Sequence, residues 1–391
     1  MDRVILHCDL NNFFASVSLL YNQTLVNMPV AVCGRVEDRH GIVLAKNEIA
    51  KSFGVKTAEP IWQAQRKCSE LCILPPLFEK YEFYSREVKK IYRRYTDKIE
   101  PFGIDECWLD VTGSTFLFGS GFEIAQQIRK AVKEELGLTI SVGVSFNKVF
   151  AKLGSDMKKP DAVTVITREN FKEKVWSLPI EDLLFVGNST AKKLRSLGIF
   201  KIGDIALCKR EILKSFLGKN GESIYNYVMG LDGSEVVAEE KAPPPKSIGK
   251  SETPSKDYEN DNAIWVAILA YAQDIAEQLR FHHLYAKGVQ ISVRTPDLKT
   301  REYSVSLASP TDSGLILAKA GMELYIKNKP DTCRSVGIRA INLTKDLNCV
   351  QTDMFENFSL CAKHEEIERK LSEINRRFGK NSVLRASILL K

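Results

Sequence analysis

Apolar and polar residues alternate in short blocks along the first 170 positions. Residues 4–8 are apolar and end at Asp9, which predicts a buried strand with a carboxylate at its C-terminal tip. Residues 11–20 follow as a helix, 30–33 as a second short strand, and 47–53 as a helix stopped by Gly54. The Leu74-Pro75-Pro76 run marks a crossing between subdomains. Residues 81–95 predict a helix with aromatics on one side. Residues 99–101 and 107–111, joined through Phe102-Gly103, predict a hairpin. Helices over 122–136 and 147–157 alternate with strands over 139–144 and 163–166. Helices that return between strands in this way predict one mixed α/β layer.

From residue 171 to about 231 the strands vanish. Short helical pieces alternate with Gly187, Gly198, Gly203, Gly218 and Gly221. Pro243-Pro244-Pro245 then reads as a stiff, extended linker. Beyond it the predicted order is strand (247–252), helix (262–279), strand (287–295), strand (302–306), helix (312–326), strand (335–343). That β-α-β-β-α-β string predicts a ferredoxin-like arrangement. A tail of about 45 residues carries one amphipathic helix, with Ile367, Leu371, Ile374 and Phe378 spaced i, i+4, i+7, i+11.

With 391 residues the chain exceeds one compact core, and two to four domains are expected. Hydrophobic residues at 44% and charged residues at 27% exclude a disordered chain, a collagen-like repeat and a coiled coil. No apolar run approaches the ~18–20 residues of a membrane span. The first twenty residues lack the basic start and apolar core of a signal peptide. The net charge of +7 permits a polyanionic partner without demanding one. Nine scattered cysteines argue against a disulfide framework and for the reducing cytoplasm. Cys68 and Cys72, the closest pair, have no second pair at zinc-ligand spacing and read as helix-face residues.

The chemistry concentrates in three acids. Asp9 ends a strand, and Asp105 and Glu106 begin the second arm of the hairpin. If both strands share a sheet, the three carboxylates meet at one edge and a cation is their natural partner. Oxygen ligation with water suits Mg²⁺ or Mn²⁺ rather than zinc. Taken singly, Asp9 also reads as a cap for the following helix, and Asp105 as a turn residue. Lys159, in Lys158-Lys159-Pro160, could reach a phosphate or stay solvated.

Five segments together resemble the Y-family, or translesion, DNA polymerases of the DinB/UmuC group, bacterial polymerase IV- and V-like. They are Asp9-Leu10-Asn11-Asn12-Phe13-Phe14-Ala15-Ser16-Val17, Gly103-Ile104-Asp105-Glu106-Cys107-Trp108-Leu109-Asp110, residues 141–152, Asp156-Met157-Lys158-Lys159-Pro160, and Lys246-Ser247-Ile248-Gly249-Lys250. The resemblance spans about residues 1–345. It implies a right-hand α/β (α+β) polymerase. The ferredoxin-like palm is expected at 1–22 and 77–167, small fingers at 23–76, and a helix-hairpin-helix thumb at 168–234. A linker at 235–246, a β-α-β-β-α-β little finger at 247–346 and a tail at 347–391 complete the chain. The implied activity is template-directed addition of dNTPs to a primer 3′-OH by two-metal-ion phosphoryl transfer, with low processivity and damage tolerance.

The resemblance also implies roles. Asp9, Asp105, Glu106 and the carbonyl of Leu10 hold two Mg²⁺ ions, or Mn²⁺. Phe14 occupies the steric-gate position that leaves no room for a 2′-OH. Asn12, Phe13, Lys51 and Lys159 serve the triphosphate. Gly187, Thr190, Lys192 and Lys193 grip primer-template DNA through its backbone. Gln351, Met354 and Phe355 resemble a peptide that binds the bacterial sliding clamp. The protein is expected to act as a monomer.

Three departures stand out. Asn11 replaces an aspartate of many relatives. Ala45, Glu48 and Lys51 replace Thr, Tyr and Arg on the triphosphate, which predicts weaker nucleotide binding. Phe185-Val186-Gly187 replaces Gly-x-Gly in the thumb hairpin. The alternative is a catalytically weak or silent polymerase-fold accessory protein that binds DNA and the clamp. A nucleotidyl cyclase and a helix-hairpin-helix nuclease explain fewer segments.

Overall fold

The computed structural model describes residues 2–34, 41–330, 332–345, 358–379 and 382–383. The chain forms two compact units that meet in sequence at residues 242 and 243. In the first unit eight strands form two sheets. They are β1 (Ile5–Leu10), β2 (Val30–Cys33), β3 (Val43–Lys46), β4 (Cys72–Leu74), β5 (Ile99–Pro101), β6 (Glu106–Asp110), β7 (Ile140–Ser145) and β8 (Val163–Ile166). The larger sheet runs β5-β6-β1-β7-β8 and the smaller β3-β2-β4.

The larger sheet is buried on both faces because its strands alternate two apolar sets. Leu6, Cys8, Leu10, Leu109, Val142 and Val144 pack against helices Phe78–Tyr92 and Gly121–Leu136, which supply Tyr81, Val88, Ile91, Ile124, Ile128 and Val132. The second of these helices starts with a Ser120–Glu123 capping box, a device that contributes about 1 kcal/mol. The opposite face is covered by helix Lys148–Met157. That helix lies close because β7 offers Gly143: a Cβ there would sit 1.9 Å from the Ala151 carbonyl oxygen. The strand order β7-β1-β6-β5 is the ferredoxin-like one, with β8 added parallel to β7.

The smaller sheet departs from the sequence reading, which saw β2 and the helix after Asn47 but not β3, β4 or helix Ile61–Lys67. These pieces are three to seven residues long, too short to display a period. Cys68 and Cys72 are not on a helix face. Cys68 follows the end of helix Ile61–Lys67, and Cys72 begins β4. Asn47 is the pin of this region. Its Oδ1 accepts from Ala50 N–H (2.9 Å) and Val30 N–H (3.0 Å), and its Nδ2 donates to the Met28 carbonyl (2.8 Å).

Residues 171–228 are all helical among the described elements, with helices Phe171–Val175, Asn188–Ser196, Ile202–Leu207, Arg210–Leu217 and Lys219–Val228. Their core of Ile180, Leu194, Ile202, Leu213 and Ile224 is continuous with Phe146 and Phe150.

The second unit holds β9 (Ser247–Glu252), β10 (Tyr285–Arg294), β11 (Thr300–Thr311) and β12 (Ser335–Thr344), with helices Asp261–Phe281 and Gly314–Lys327 packed on one face. The β-α-β-β-α-β string is as expected, but the sheet order is β11-β10-β12-β9. That differs from the ferredoxin order found in the first unit: here the second and fourth strands, β10 and β12, are central and the first and third, β9 and β11, lie at the edges. Periodicity fixes the faces of each strand and says nothing about which strands are central. The tail helix Phe358–Phe378 also differs in how it is held. Ile367, Ile374 and Phe378 are exposed, whereas Glu368 is buried and accepts from the N–H groups of Gly314 (2.9 Å) and Leu315 (3.2 Å). A carboxylate at the first turn of helix Gly314–Lys327 thus docks the tail.

Candidate active site

β1 and β6 are antiparallel neighbours, and their register sets Asp9 opposite Glu106 and His7 opposite Trp108. Paired residues share a face, so two carboxylates stand side by side on the face covered by helix Lys148–Met157. Asp105 lies just before β6, where its carbonyl accepts the N–H of Leu10 at 3.2 Å. The acidic cluster therefore follows from strand register and one turn.

Burial, and then the charges of Asp9 and Glu106, push the Asp105 carboxyl up to about 6. Burial also raises Asp9, although Lys159 and Lys152 pull the other way. Glu106 moves in the opposite direction. Burial alone would raise it, but the His7 imidazole and the Lys152 ammonium outweigh burial and hold it down to about 2. His7 Nε2 is 3.4 Å from Glu106 Oε2 without hydrogen-bond alignment, and burial lowers the imidazole's own pKa, so Lys152 is the directed charged partner of Glu106.

Lys152 Nζ donates to Asp9 Oδ2 at 3.2 Å, Glu106 Oε1 at 2.9 Å and Asp156 Oδ1 at 3.3 Å. Lys159 Nζ donates to Asp9 Oδ2 at 2.7 Å. Among the described residues no group of three or more His, Cys, Asp or Glu side chains is gathered for an ion; Lys152 bridges Asp9 and Glu106. The donor set nonetheless fits a hard divalent cation. It is all oxygen, and Asp105, raised first by burial and then by the charges of Asp9 and Glu106, adds a third carboxyl beside the pair.

An open cavity of about 240 Å³ adjoins the acids. Asp9, Leu10, Asp105, Glu106 and Lys159 line one part, Asn12, Phe13 and Phe14 another, and Leu44, Ala45, Lys46 and Thr57 a third. Asn12 adopts a left-handed backbone (φ 49°) that turns β1 into helix Phe13–Leu20, a conformation asparagine tolerates. The free N–H groups of that first turn belong to residues lining the cavity. Phe14 stacks on Tyr81 with centroids 4.1 Å apart and meets Phe78 edge-on, which fixes its ring.

Lys51 is not among the lining residues. Its Nζ lies 3.3 Å from Glu48, and Glu48 also accepts from Asn12 Nδ2 at 3.0 Å. Asn11 is a buried tie rather than a ligand. Its Nδ2 donates to Ser141 Oγ (2.9 Å) and its Oδ1 accepts from Asp161 N–H (2.9 Å), bracing the loop that carries Lys159.

The sequence reading missed His7, Lys152, Lys46 and Thr57. A signal for Lys152 existed: it lies four residues before Asp156 on a helix packed against β1, so it can face Asp9. No comparable signal marks Lys46 or Thr57.

In the helical region Gly187 caps helix Asn188–Ser196, with open space around its Cα. Lys192 and Lys193 are exposed and Thr190 is half-buried. Arg195 is engaged by Glu181 at 2.5 Å. Phe185 keeps the left-handed backbone expected of the glycine it replaces (φ 69°). Gln351, Met354 and Phe355 lie outside the described residues.

Residues 8–156 match the impB/mucB/samB family, 245–354 its C-terminal domain, and 168–199 the IMS family HHH motif. A protein of Acetivibrio thermocellus named DNA polymerase IV is 46% identical over all of this chain and 98% of its own. DNA polymerase IV of Bacillus velezensis is 35% identical over all of this chain and 94% of its own. Among solved structures, a Y-family DNA polymerase chimera superposes with a TM-score of 0.77 at 24% identity, over 88% of this chain and all of that one.

Proposed function

Because the chain belongs to the impB/mucB/samB family, the Y-family DNA polymerases, we propose that it is a translesion DNA-directed DNA polymerase. The observation that carries this reading is the pairing of Asp9 with Glu106 across two central strands, with Asp105 beside them at the mouth of an aromatic-floored cavity. Asp9, Asp105, Glu106 and the Leu10 carbonyl hold two Mg²⁺ ions. When bound, the ions lower the pKa of the primer 3′-OH and stabilise charge on the α-phosphate and leaving pyrophosphate.

The side chains do the rest. Lys159, which lies on Asp9 in this structure, exchanges that partner for the triphosphate as a point charge. Asn12 and Phe13 offer backbone N–H groups. Phe14, held by Tyr81 and Phe78, stands under the sugar and excludes a 2′-OH. Gly187, Thr190, Lys192 and Lys193 take a DNA backbone phosphate, and the thumb's slight basic excess supports a salt-sensitive, short-lived grip. Gln351, Met354 and Phe355 tether the enzyme to the sliding clamp. Clamp pull-down that survives Met354→Ala with Phe355→Ala would remove that last assignment.

Single-nucleotide primer extension tests the central reading, on undamaged and abasic templates, with dNTP and rNTP. Mg²⁺-dependent dNTP addition by the wild type is expected, with rNTP addition rising in Phe14→Ala. No addition while DNA binding persists would select the silent accessory protein instead.

A further inference from the structure

Lys46 ends β3, and the neighbouring Asn47 is pinned by three hydrogen bonds, so its backbone position is fixed. Its Nζ donates to Thr57 Oγ1 at 3.1 Å, and both residues line the cavity that holds Asp9 and Lys159. No carboxylate lies within ion-pair distance of this ammonium among the described residues, in contrast to Lys51 with Glu48. The charge is also under-solvated: burial, then the nearby Lys51, lowers the Lys46 pKa, and Glu48 and Glu59 offset only part of that. A half-buried cation without a counter-ion, held on a hydroxyl, gains most from a multiply charged anion.

The cavity offers a second cation, Lys159, and first-turn N–H groups near Phe13. Ala45 contributes only a methyl group. Resting on the polymerase reading above, we propose that Lys46, steadied by Thr57, is the fingers-side ligand of the incoming nucleotide's triphosphate in this chain. It takes over the duty that relatives give to the positions of Ala45, Glu48 and Lys51. The chain thus keeps a cationic contact by moving it to the last residue of β3.

The test is steady-state incorporation of one dNTP by wild type, Lys46→Ala, Lys46→Arg, Thr57→Val and Lys51→Ala. A second readout is equilibrium binding of dNTP and dNMP to enzyme on a dideoxy-terminated primer. Lys46→Ala is expected to raise the dNTP KM and the dNTP Kd roughly 10–100-fold, the range for losing a hydrogen bond to a charged group. kcat and dNMP binding should change far less. Lys46→Arg should restore most of the affinity, Thr57→Val should lose less than Lys46→Ala, and Lys51→Ala should raise KM less than Lys46→Ala. An unchanged KM and Kd in Lys46→Ala would overturn the proposal, and so would a larger rise in Lys51→Ala. A fall in kcat and melting temperature without a KM shift would also overturn it, by reducing Lys46 to a structural strut. A wild type that adds no nucleotide would instead overturn the polymerase reading itself.

Discussion

In the sheet of the first unit the leading strand, β1, lies in the middle between β6 and β7, whereas in the second unit the leading strand, β9, lies at the edge and pairs with β12 alone. The elements follow in the same β-α-β-β-α-β order, yet the consequences diverge. Every residue of β1 is buried, because helices cover both faces and strands flank both edges. A carboxylate placed there meets water only through the cavity, and Asp9 is paired with Lys152 and Lys159. On the second sheet β9 and β11 are largely exposed, and Gly249, Ser251, Gln290, Ser292 and Arg339 line a shallow polar groove. The groove's Lys250 pairs with Asp274 and, at 3.3 Å, with Glu252, partners that water still reaches. The covered sheet perturbs its carboxylates and can do chemistry with them; the open sheet offers surface.

The sharpest way to break this contrast is to truncate one acid on each sheet. Glu106→Ala is expected to lower the single-turnover incorporation rate on the order of 10²–10³-fold, the range for losing one preorganised electrostatic group. Glu302→Ala, on β11 of the open sheet, should leave that rate unchanged. Equal losses would erase the distinction.

Glycines give the next largest difference. Gly143→Ala forces a Cβ to 1.9 Å from a backbone carbonyl of the covering helix and should destabilise the fold by about 3 kcal/mol. It should also slow incorporation, since that helix carries Lys152. Gly249→Ala meets the Arg339 Cβ at 3.1 Å and the Ile338 carbonyl oxygen at 3.2 Å, contacts relieved by a shift of a few tenths of an ångström, and should cost only about 1 kcal/mol. Urea denaturation of both variants decides the matter. Similar shifts would mean that the two sheets are equally covered.

The smallest effect lies outside both sheets. Phe185 holds a left-handed backbone without being glycine, and its ring is half exposed. Phe185→Gly should therefore stabilise the helical region by about 1 kcal/mol. A loss of stability would show that its contact with Tyr227 outweighs the strain.

The three acids were legible because a carboxylate at the tip of an apolar strand is conspicuous. The hairpin was legible because Phe102-Gly103 separates two strand-like runs. Lys46 was not, since a lysine between Ala45 and Asn47 looks like any solvated lysine until Thr57 arrives beside it from eleven positions away. His7 likewise reads as one more residue of a strand until Ser155 and Glu106 meet its two ring nitrogens. The tail helix shows the converse. Its apolar spacing was plain, but the residue that docks it is Glu368, whose partners are backbone N–H groups of another helix. Periodicity speaks for faces, and it is silent on neighbours brought by the fold.

The central place of β1 has a consequence for the growing chain. Its partners emerge late: β6 starts 96 residues after Leu10, and β7 ends 135 residues after it. At ~5–20 residues per second of synthesis, the wait for β7 is roughly 7–27 s. Through that interval the ribosome holds out an apolar segment with both edges unpaired, the kind of template that invites foreign strands. In the second unit the β10–β11 hairpin can close as soon as it leaves the tunnel. A nascent-chain protection experiment should therefore find chaperone contact concentrated between the emergence of β1 and that of β7.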